Sequence, residues 1–475
     1  MKVFRLIIRL LFCIVLLFTL IYNTYLLRSL GLTYNKYILI ALIIVYIIML
    51  LLILGILLLK NMIAKVIIYI ISTLVIITFS FIIYYLYNTL NFINNFGKVK
   101  DQYDYYYVIV NIDSKYHNID DLDGKIMGVN NSVKEDILNK VSITNNKIGY
   151  DKTNLLYNDL KSEKVDFIYI SDTDAYLLEE QLGEEFTKSI RIIKKVKIKK
   201  EIKIETEKEI DDSFILYISG IDTKGVISNV SRSDVNILVT VNTKTHQILL
   251  STIPRDYYVQ LHNTEGYKDK LTHAGIYGID MSISTIEDLL DIKINYYLRV
   301  NFDTLIKLID EIGDIEIYSD QDLSFCDIKT GYNTLNSSCA LRFARERKSY
   351  ETGDRHRGEN QEEVLKAMIN KIGSDNVLLS KYDDILKKLS DNFETNISDS
   401  IIKNIVKIQM KDMPKWNIDT YNLDGFNSYD YTYSYDNDVK LYVMEPDINT
   451  INNLKNYINN IINGKMFYEI NNWGD

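Results

Sequence analysis

Five arginines fall within one run, Ala340 to Gln361 (ALRFARERKSYETGDRHRGENQ): Arg342, Arg345, Arg347, Arg355 and Arg357. Elsewhere the chain prefers lysine, with twelve Arg against forty-two Lys in 475 residues. Lys suffices for ordinary surface charge, so concentrated Arg points to a planar fork of fixed donors, suited to gripping phosphate oxygens two at a time. The plain alternative is a solvated Arg/Glu helix face. Two patterns argue against it. Arg345 and Arg347 are expected on one side of an extended segment, continuing the side of Leu341 and Phe343, so an apolar row turns doubly cationic and calls for an anion or a carboxylate. Arg357 and Gln361, four apart at the start of an expected helix, share one face, beside an N-terminus whose positive potential suits a pyrophosphate.

The rest of the composition makes any such cationic site local. A net charge of −9 argues against a general nucleic-acid binder. Three Cys and five His, with no Cys-x-x-Cys or His-x-x-x-His spacing, argue against a zinc centre. Cys13 lies in an apolar run. Cys326 and Cys339 bracket a Gly-containing turn and are either a disulfide, if that region is extracellular, or two unlinked small core residues. Neither a Gly-x-Ser-x-Gly elbow nor a Walker A loop occurs, which removes support for serine-hydrolase and nucleotide-triphosphatase chemistry.

Residues 1–90 hold three apolar runs, Leu6 to Leu27, Tyr37 to Leu59 and Ile63 to Tyr87, each near the roughly 20 residues a helix needs to cross a bilayer. One cleavable leader would account for one run, not three. Lys2, Arg5 and Arg9 precede the first run and Lys60 and Lys65 follow the second, whereas the first loop carries only Arg28 and Lys36. The positive-inside bias then places the N-terminus in the cytoplasm and everything after about Asn91 outside.

Residues 101–210 read as a small α/β unit. YYYVIVNI and KVDFIYIS are short strands, DLDGKIMGV is a turn and a strand, and KTNLLYNDLKS has helical spacing. The phrases from Asp121 to Val129 and from Leu160 to Phe167 resemble one lobe of periplasmic solute-binding proteins; a lone lobe implies a spacer or docking module. A strand and a charged linker, Ile193 to Ile210, follow.

A more regular succession fills 212–465. Phe214 to Ser219 is a strand running into Gly220-Ile-Asp222-Thr, and Val235–Val241 and His246–Ile253 are strands joined at Asn242 and stopped at Pro254. A helix at Ser282–Leu290, a strand at Asn295–Val300, a helix from Asn301 to Gly313 and a strand at Ile315–Tyr318 complete a layered sheet covered by helices.

These elements carry motifs in a fixed order: Ser231-Arg232-Ser-Asp234, Ile253-Pro254-Arg255-Asp256, Lys270-Leu-Thr-His-Ala-Gly275, Asn295-Tyr-Tyr-Leu-Arg-Val, Asp310-Glu-Ile-Gly313, Ala340-Leu-Arg-Phe-Ala-Arg345-Glu-Arg347 and Gly353-Asp354-Arg-His-Arg357-Gly-Glu-Asn-Gln361. Together they resemble the LytR-CpsA-Psr family over about residues 212–450. The resemblance implies an extracytoplasmic phosphotransferase that moves an anionic glycopolymer, such as teichoic acid or capsular polysaccharide, from undecaprenyl pyrophosphate to peptidoglycan. It implies Mg²⁺, or Mn²⁺, on Asp222 and Asp234. It places Arg232, Arg255, Arg345, Arg347, Arg357 and Gln361 around the pyrophosphate, and Asp354 is the candidate base near the acceptor hydroxyl. Asn360 departs from the family pattern, which often has a second Arg there. Two oxygen ligands and a hard phosphate agree with such a metal. A polyprenyl-phosphate-binding sensory protein and a lipid pyrophosphatase are the remaining alternatives.

Overall fold

The computed structural model describes residues 2–34, 36–96, 103–141, 146–199, 212–221, 230–374, 393–398, 415–435 and 439–470, with isolated positions between 401 and 408. Helices α1 (Lys2–Ser29), α2 (Lys36–Leu58) and α3 (Met62–Phe96) open the chain. Their segments Leu6–Ser29, Lys36–Leu58 and Met62–Asn88 are each long and apolar enough to cross a membrane. They meet along Leu16, Leu20, Met49, Leu52 and Ile56, while most other apolar side chains of these helices face outward.

Strands β1 (Tyr103–Asn111), β2 (Ile126–Asn130), β3 (Asn146–Tyr150), β4 (Phe167–Ser171) and β5 (Ile190–Lys199) form one sheet in the order β3-β2-β4-β1-β5. β2 runs parallel to β3 and β4, and β1 antiparallel to β4 and β5. Because successive side chains in a strand point to opposite faces, Phe167 and Tyr169 enter one apolar cluster and Ile168 and Ile170 another. Helix α4 (Asp172–Leu182) leaves β4 through a capping box: the Ser171 hydroxyl accepts from the Asp174 amide.

The second sheet contains β6 (Ser213–Ile221), β7 (Val235–Asn242), β8 (Gln247–Thr252), β9 (Tyr296–Asn301), β10 (Phe393–Thr395) and β11 (Asn417–Thr420), ordered β10-β9-β6-β7-β8-β11. β9 lies parallel to β6, and β11 parallel to β8. Around it pack α5 (Ile279–Leu290), α6 (Phe302–Ile312), α7 (Ser337–Arg345), α8 (Asp354–Ser374) and α9 (Ile448–Ile462). Ile215, Tyr217, Leu238 and Leu249 face Ile286 of α5 and Leu454 and Ile458 of α9. On the opposite face, Phe214, Ile237, Val239 and Leu250 meet Leu365 and Ile369 of α8. The other side of α8 supplies Val364, Ala367 and Met368 to a third cluster with α6, α7 and the hairpin Ile315–Ser319/Gly331–Leu335. α8 is thus buried along two stripes, which fixes both its axis and its rotation.

One expectation is overturned. Arg345 and Arg347 do not share the side of an extended segment, because Ser337–Arg345 is a helix, capped by the Asn336 side chain accepting from the Cys339 amide. Ala340, Phe343 and Ala344 are its buried residues, spaced three and four apart, which is helical rather than alternating spacing. Extended backbone resumes only at Glu346, whose carboxylate accepts from the amides of Arg347, Lys348 and Ser349. Cys326 and Cys339 form a disulfide that ties the first turn of α7 to the loop before it.

Candidate active site

Three segments meet where β6 and β8 end and β7 begins. The Asp234 amide donates to Gly220 O at 2.8 Å, the Ser233 amide to Thr272 O at 3.0 Å, and the Thr272 amide to Arg255 O at 2.8 Å. These bonds stitch Ser231–Asp234, the turn after β8 and the short helix Leu271–Ala274 together. Gly275 makes the junction possible: a Cβ there would lie 2.7 Å from Ser231 O and from Ser233 N, a backbone approach no side chain tolerates. From below, the fully buried Arg299 of β9 donates to Ser231 O at 3.3 Å and lies 3.7 Å from Glu394.

Arg255 stands among three carboxylates. Its Nη1 donates to Asp234 Oδ1 at 3.0 Å, and its Nε lies 3.5 Å from Asp256 and 3.7 Å from Asp354. Burial works against its charge, but Asp234, Asp354 and Asp256 outweigh burial and raise its pKa above the ordinary value. Thr272 donates a further bond to Asp234 Oδ1 at 3.1 Å, and Lys270 holds Asp256 at 2.9 Å.

The N-terminus of α8 closes the other side. Asp354 is its first residue, and Arg357 Nη2 lies 2.9 Å from Asp354 Oδ1 one turn on. Burial pushes the Arg357 guanidinium below its ordinary value; Asp354 opposes this, while the charges of Arg255 and Arg347 add to it. Gly358 lets α8 lie close to the end of β8, since a Cβ there would come within 2.7 Å of Thr252 Cγ2. Gln361, the next turn along, donates to Ala344 O at 3.3 Å and so links α8 to the last turn of α7.

Asp234, Arg255, Asp354, Arg357 and Gln361 therefore line one cavity of about 270 Å³. The other residues expected at the site lie elsewhere. Arg345, at the end of α7, places its guanidinium 4.3 Å from the ring centre of Phe302, and Arg347 lies exposed just beyond. Neither lines the cavity, although Arg347 is close enough to act on Arg357. Arg232 turns toward α4, where it pairs with Glu180. Asp222 lies outside the described residues. Arg342 stacks on Phe325, and Asn360 is buried, donating to Phe343 O and the Tyr350 hydroxyl. At the position where the family often has Arg, this chain has a packing amide.

Several contributors escaped sequence reasoning. Thr272 lay inside a motif already noted, so its neighbourhood was the available signal. Asp424, which pairs with Arg355 at 2.9 Å, comes from 69 residues away, and no spacing announces it. Glu362, which accepts from the Thr252 hydroxyl at 2.8 Å behind the cleft, resembles any helix-surface glutamate.

The cleft's charge bears on the expected metal. Its lining has three Arg against five carboxylates, Asp234, Asp256, Asp354, Glu359 and Asp424. An anionic ligand entering this acidic excess is favoured by an accompanying cation. Among the described residues there is no group of three or more metal-binding side chains. Mg²⁺ commonly keeps several waters and takes one or two protein carboxylates plus phosphate oxygens, so Asp234 fits as one ligand: its Oδ1 is engaged by Arg255 and Thr272, and no described hydrogen bond occupies Oδ2.

Known proteins resemble this chain over part of its length. The polyisoprenyl-teichoic acid–peptidoglycan teichoic acid transferase TagT of Bacillus subtilis (strain 168) is 35% identical over 208 residues, covering 40% of this chain and 63% of that protein. The TagU transferase of Enterococcus faecalis is 34% identical over 201 residues, 41% of this chain and 65% of its own. The match thus spans less than two thirds of either relative. The crystal structure of B. subtilis TagV aligns with 54% of this chain and 99% of its own at 30% identity and a TM-score of 0.44. The family model matches residues 179–452, from within α4 to within α9 and across every motif that builds the cleft: the chain belongs to the LytR_cpsA_psr family.

Proposed function

We propose that this chain is a membrane-anchored, extracytoplasmic phosphotransferase that moves an anionic glycopolymer from undecaprenyl pyrophosphate to peptidoglycan, with its N-terminus in the cytoplasm and its cleft outside. The observation that carries the reading is the convergence of Asp234, Arg255, Asp354 and Arg357 at the N-terminal end of α8. The names of the transferase relatives support it.

In the proposed step an acceptor sugar hydroxyl attacks the sugar-linked phosphorus in line. A new P–O bond forms, the bond to the bridging oxygen breaks, undecaprenyl phosphate leaves, and Asp354 takes the hydroxyl proton. Arg255 and Arg357 stabilise charge on the transferring and departing phosphates, with Arg347 and Gln361 flanking them; this is where most catalysis of phosphoryl transfer lies. Bound Mg²⁺, held by Asp234 and by Asp222 as the family pattern implies, would supply Lewis-acid neutralisation of the same oxygens.

The test is a transfer assay on the detergent-solubilised chain, using a short-chain polyprenyl-pyrophosphoryl sugar and peptidoglycan oligomers, with Mg²⁺ or EDTA. Metal-dependent product in the wild type, lost in Asp234→Ala and Arg357→Ala, is expected. Release to water alone would make the protein a pyrophosphatase. Tight lipid binding without turnover on any acceptor would make it a sensor.

A further inference from the structure

Arg232 stands two residues before Asp234 yet does not line the cleft. Its Nη2 donates to Glu180 Oε2 and, at 2.6 Å, to the Tyr435 hydroxyl, which itself donates to Glu180. Glu180 belongs to α4, outside the second sheet and its helices. α4 meets that part of the molecule along one stripe: the Thr173 hydroxyl donates to Ile276 O at 3.2 Å, and Gln181 Nε2 to Ser434 O at 3.4 Å, with Glu180 between them on the same side.

The ion pair is accessible and incompletely used. The Arg232 and Glu180 side chains keep 37% and 26% of their surface exposed, so water and small anions can reach them. Arg232 Nε is buried without a hydrogen-bond acceptor, and its hydrogen bonds engage only Nη2 of a fork that has five donors. Tyr176, one turn before Glu180, feels the charges of Glu180, Arg232 and Asp234 together.

We propose that Glu180 is an internal stand-in anion: it holds Arg232 while the cleft is empty, and an entering pyrophosphate replaces it on the guanidinium, loosening α4 from the catalytic part. This rests on the pyrophosphate reading of the cleft. Binding free energies are reciprocal, so whatever draws α4 away strengthens pyrophosphate binding by the same factor. α4 and the sheet that carries it then act as a sensor of site occupancy, and Glu180 is a positioning residue rather than a catalytic one.

Calorimetric titration of the detergent-solubilised full chain in Mg²⁺ buffer tests this, with inorganic pyrophosphate and a short-chain prenyl pyrophosphate as probes. Glu180→Gln keeps the shape of the side chain but drops its charge. It should bind either probe about 5-fold more tightly, the scale of one partly exposed ion pair. The gain should vanish when Arg232→Ala is already present, and amide exchange in α4 of the wild type should speed up when pyrophosphate is added. Unchanged or weaker binding in Glu180→Gln, with Arg357→Ala still weakening both probes, would overturn the stand-in role and leave the anion site intact. Failure of the wild type to bind either probe would remove the pyrophosphate reading, and this proposal with it.

Discussion

Arg255 and Asp234, two residues named by separate motifs, are bonded to each other at 3.0 Å, and the same guanidinium reaches toward Asp354 on α8. One side chain thus sets the spacing between the carboxylate proposed for the metal and the carboxylate proposed as base. Arg255→Lys keeps the charge but loses the fork. Transfer is expected to fall about 100-fold or more, the cost of losing a preorganised donor at a developing charge. Rates of product formation check this, and near-normal transfer would mean that the fork is dispensable.

Gly358 is expected to be intolerant of the smallest side chain. In Gly358→Ala the new methyl group meets Thr252 Cγ2 at 2.7 Å, and Thr252 is a stiff β-branched residue bonded to Glu362. α8 must move off β8, at a cost of about 1–3 kcal/mol. Paired melting and transfer measurements should show activity falling further than stability, because Arg357 and Asp354 ride on the displaced end. Thr252→Ser in the same chain, which removes the clashing methyl, should restore much of both.

Glu362 predicts a pH dependence of stability. Burial pushes its carboxyl up to about 7, against hydrogen bonds from Thr252 and Asn422 that pull it down. Its ordinary value is 4.5, so the folded protein holds this proton more tightly than the unfolded chain. The resulting stabilisation is complete below about 4.5 and is lost as pH rises through 7. Glu362→Gln, neutral throughout, should flatten the fall in melting temperature between pH 5 and 8 and melt higher than wild type at pH 8. An unchanged slope would assign the effect to another group.

The disulfide ties chemistry to compartment. Cys326 and Cys339 close a loop with a sequence separation of 13, worth about 3 kcal/mol by chain entropy. Cys339 lies in the first turn of α7, whose last turn receives Gln361 from the cleft. The double variant Cys326→Ser/Cys339→Ser should melt earlier and transfer more slowly. In protein taken from cells under thiol-blocking conditions, only Cys13 should react with maleimide after denaturation. Two further reactive thiols would argue against an outside location.

The sheet was legible because its central strands are short, nearly continuous apolar runs with turn or capping residues close by: Asn242 ends β7, Pro254 follows β8, and Asn301 ends β9 and caps α6. The α8 face was legible too, since Arg357 and Gln361 sit one turn apart beyond Gly353. α7 was misread because Leu341, Phe343, Arg345 and Arg347 satisfy a period of two while Ala340, Phe343 and Ala344 satisfy the helical one. Over so short a run only packing decides between them. The aim of Arg232 toward α4 and the burial of Arg299 under Ser231 were not legible, because both depend on which distant segment covers each side chain.

The tether between the apolar helices and the first sheet has its own consequence. The third apolar span ends at Asn88, α3 continues to Phe96, and β1 begins at Tyr103. Eight helical residues rise about 12 Å, and the six that follow can add about 20 Å when fully extended. With the spans in a bilayer, the start of the first sheet stays within some 30 Å of the membrane surface. Encounter with the proposed lipid-borne donor is then a search in two dimensions, governed by lateral density in the leaflet rather than by bulk concentration. Only the innermost layer of any surrounding polymer mesh lies within its leash.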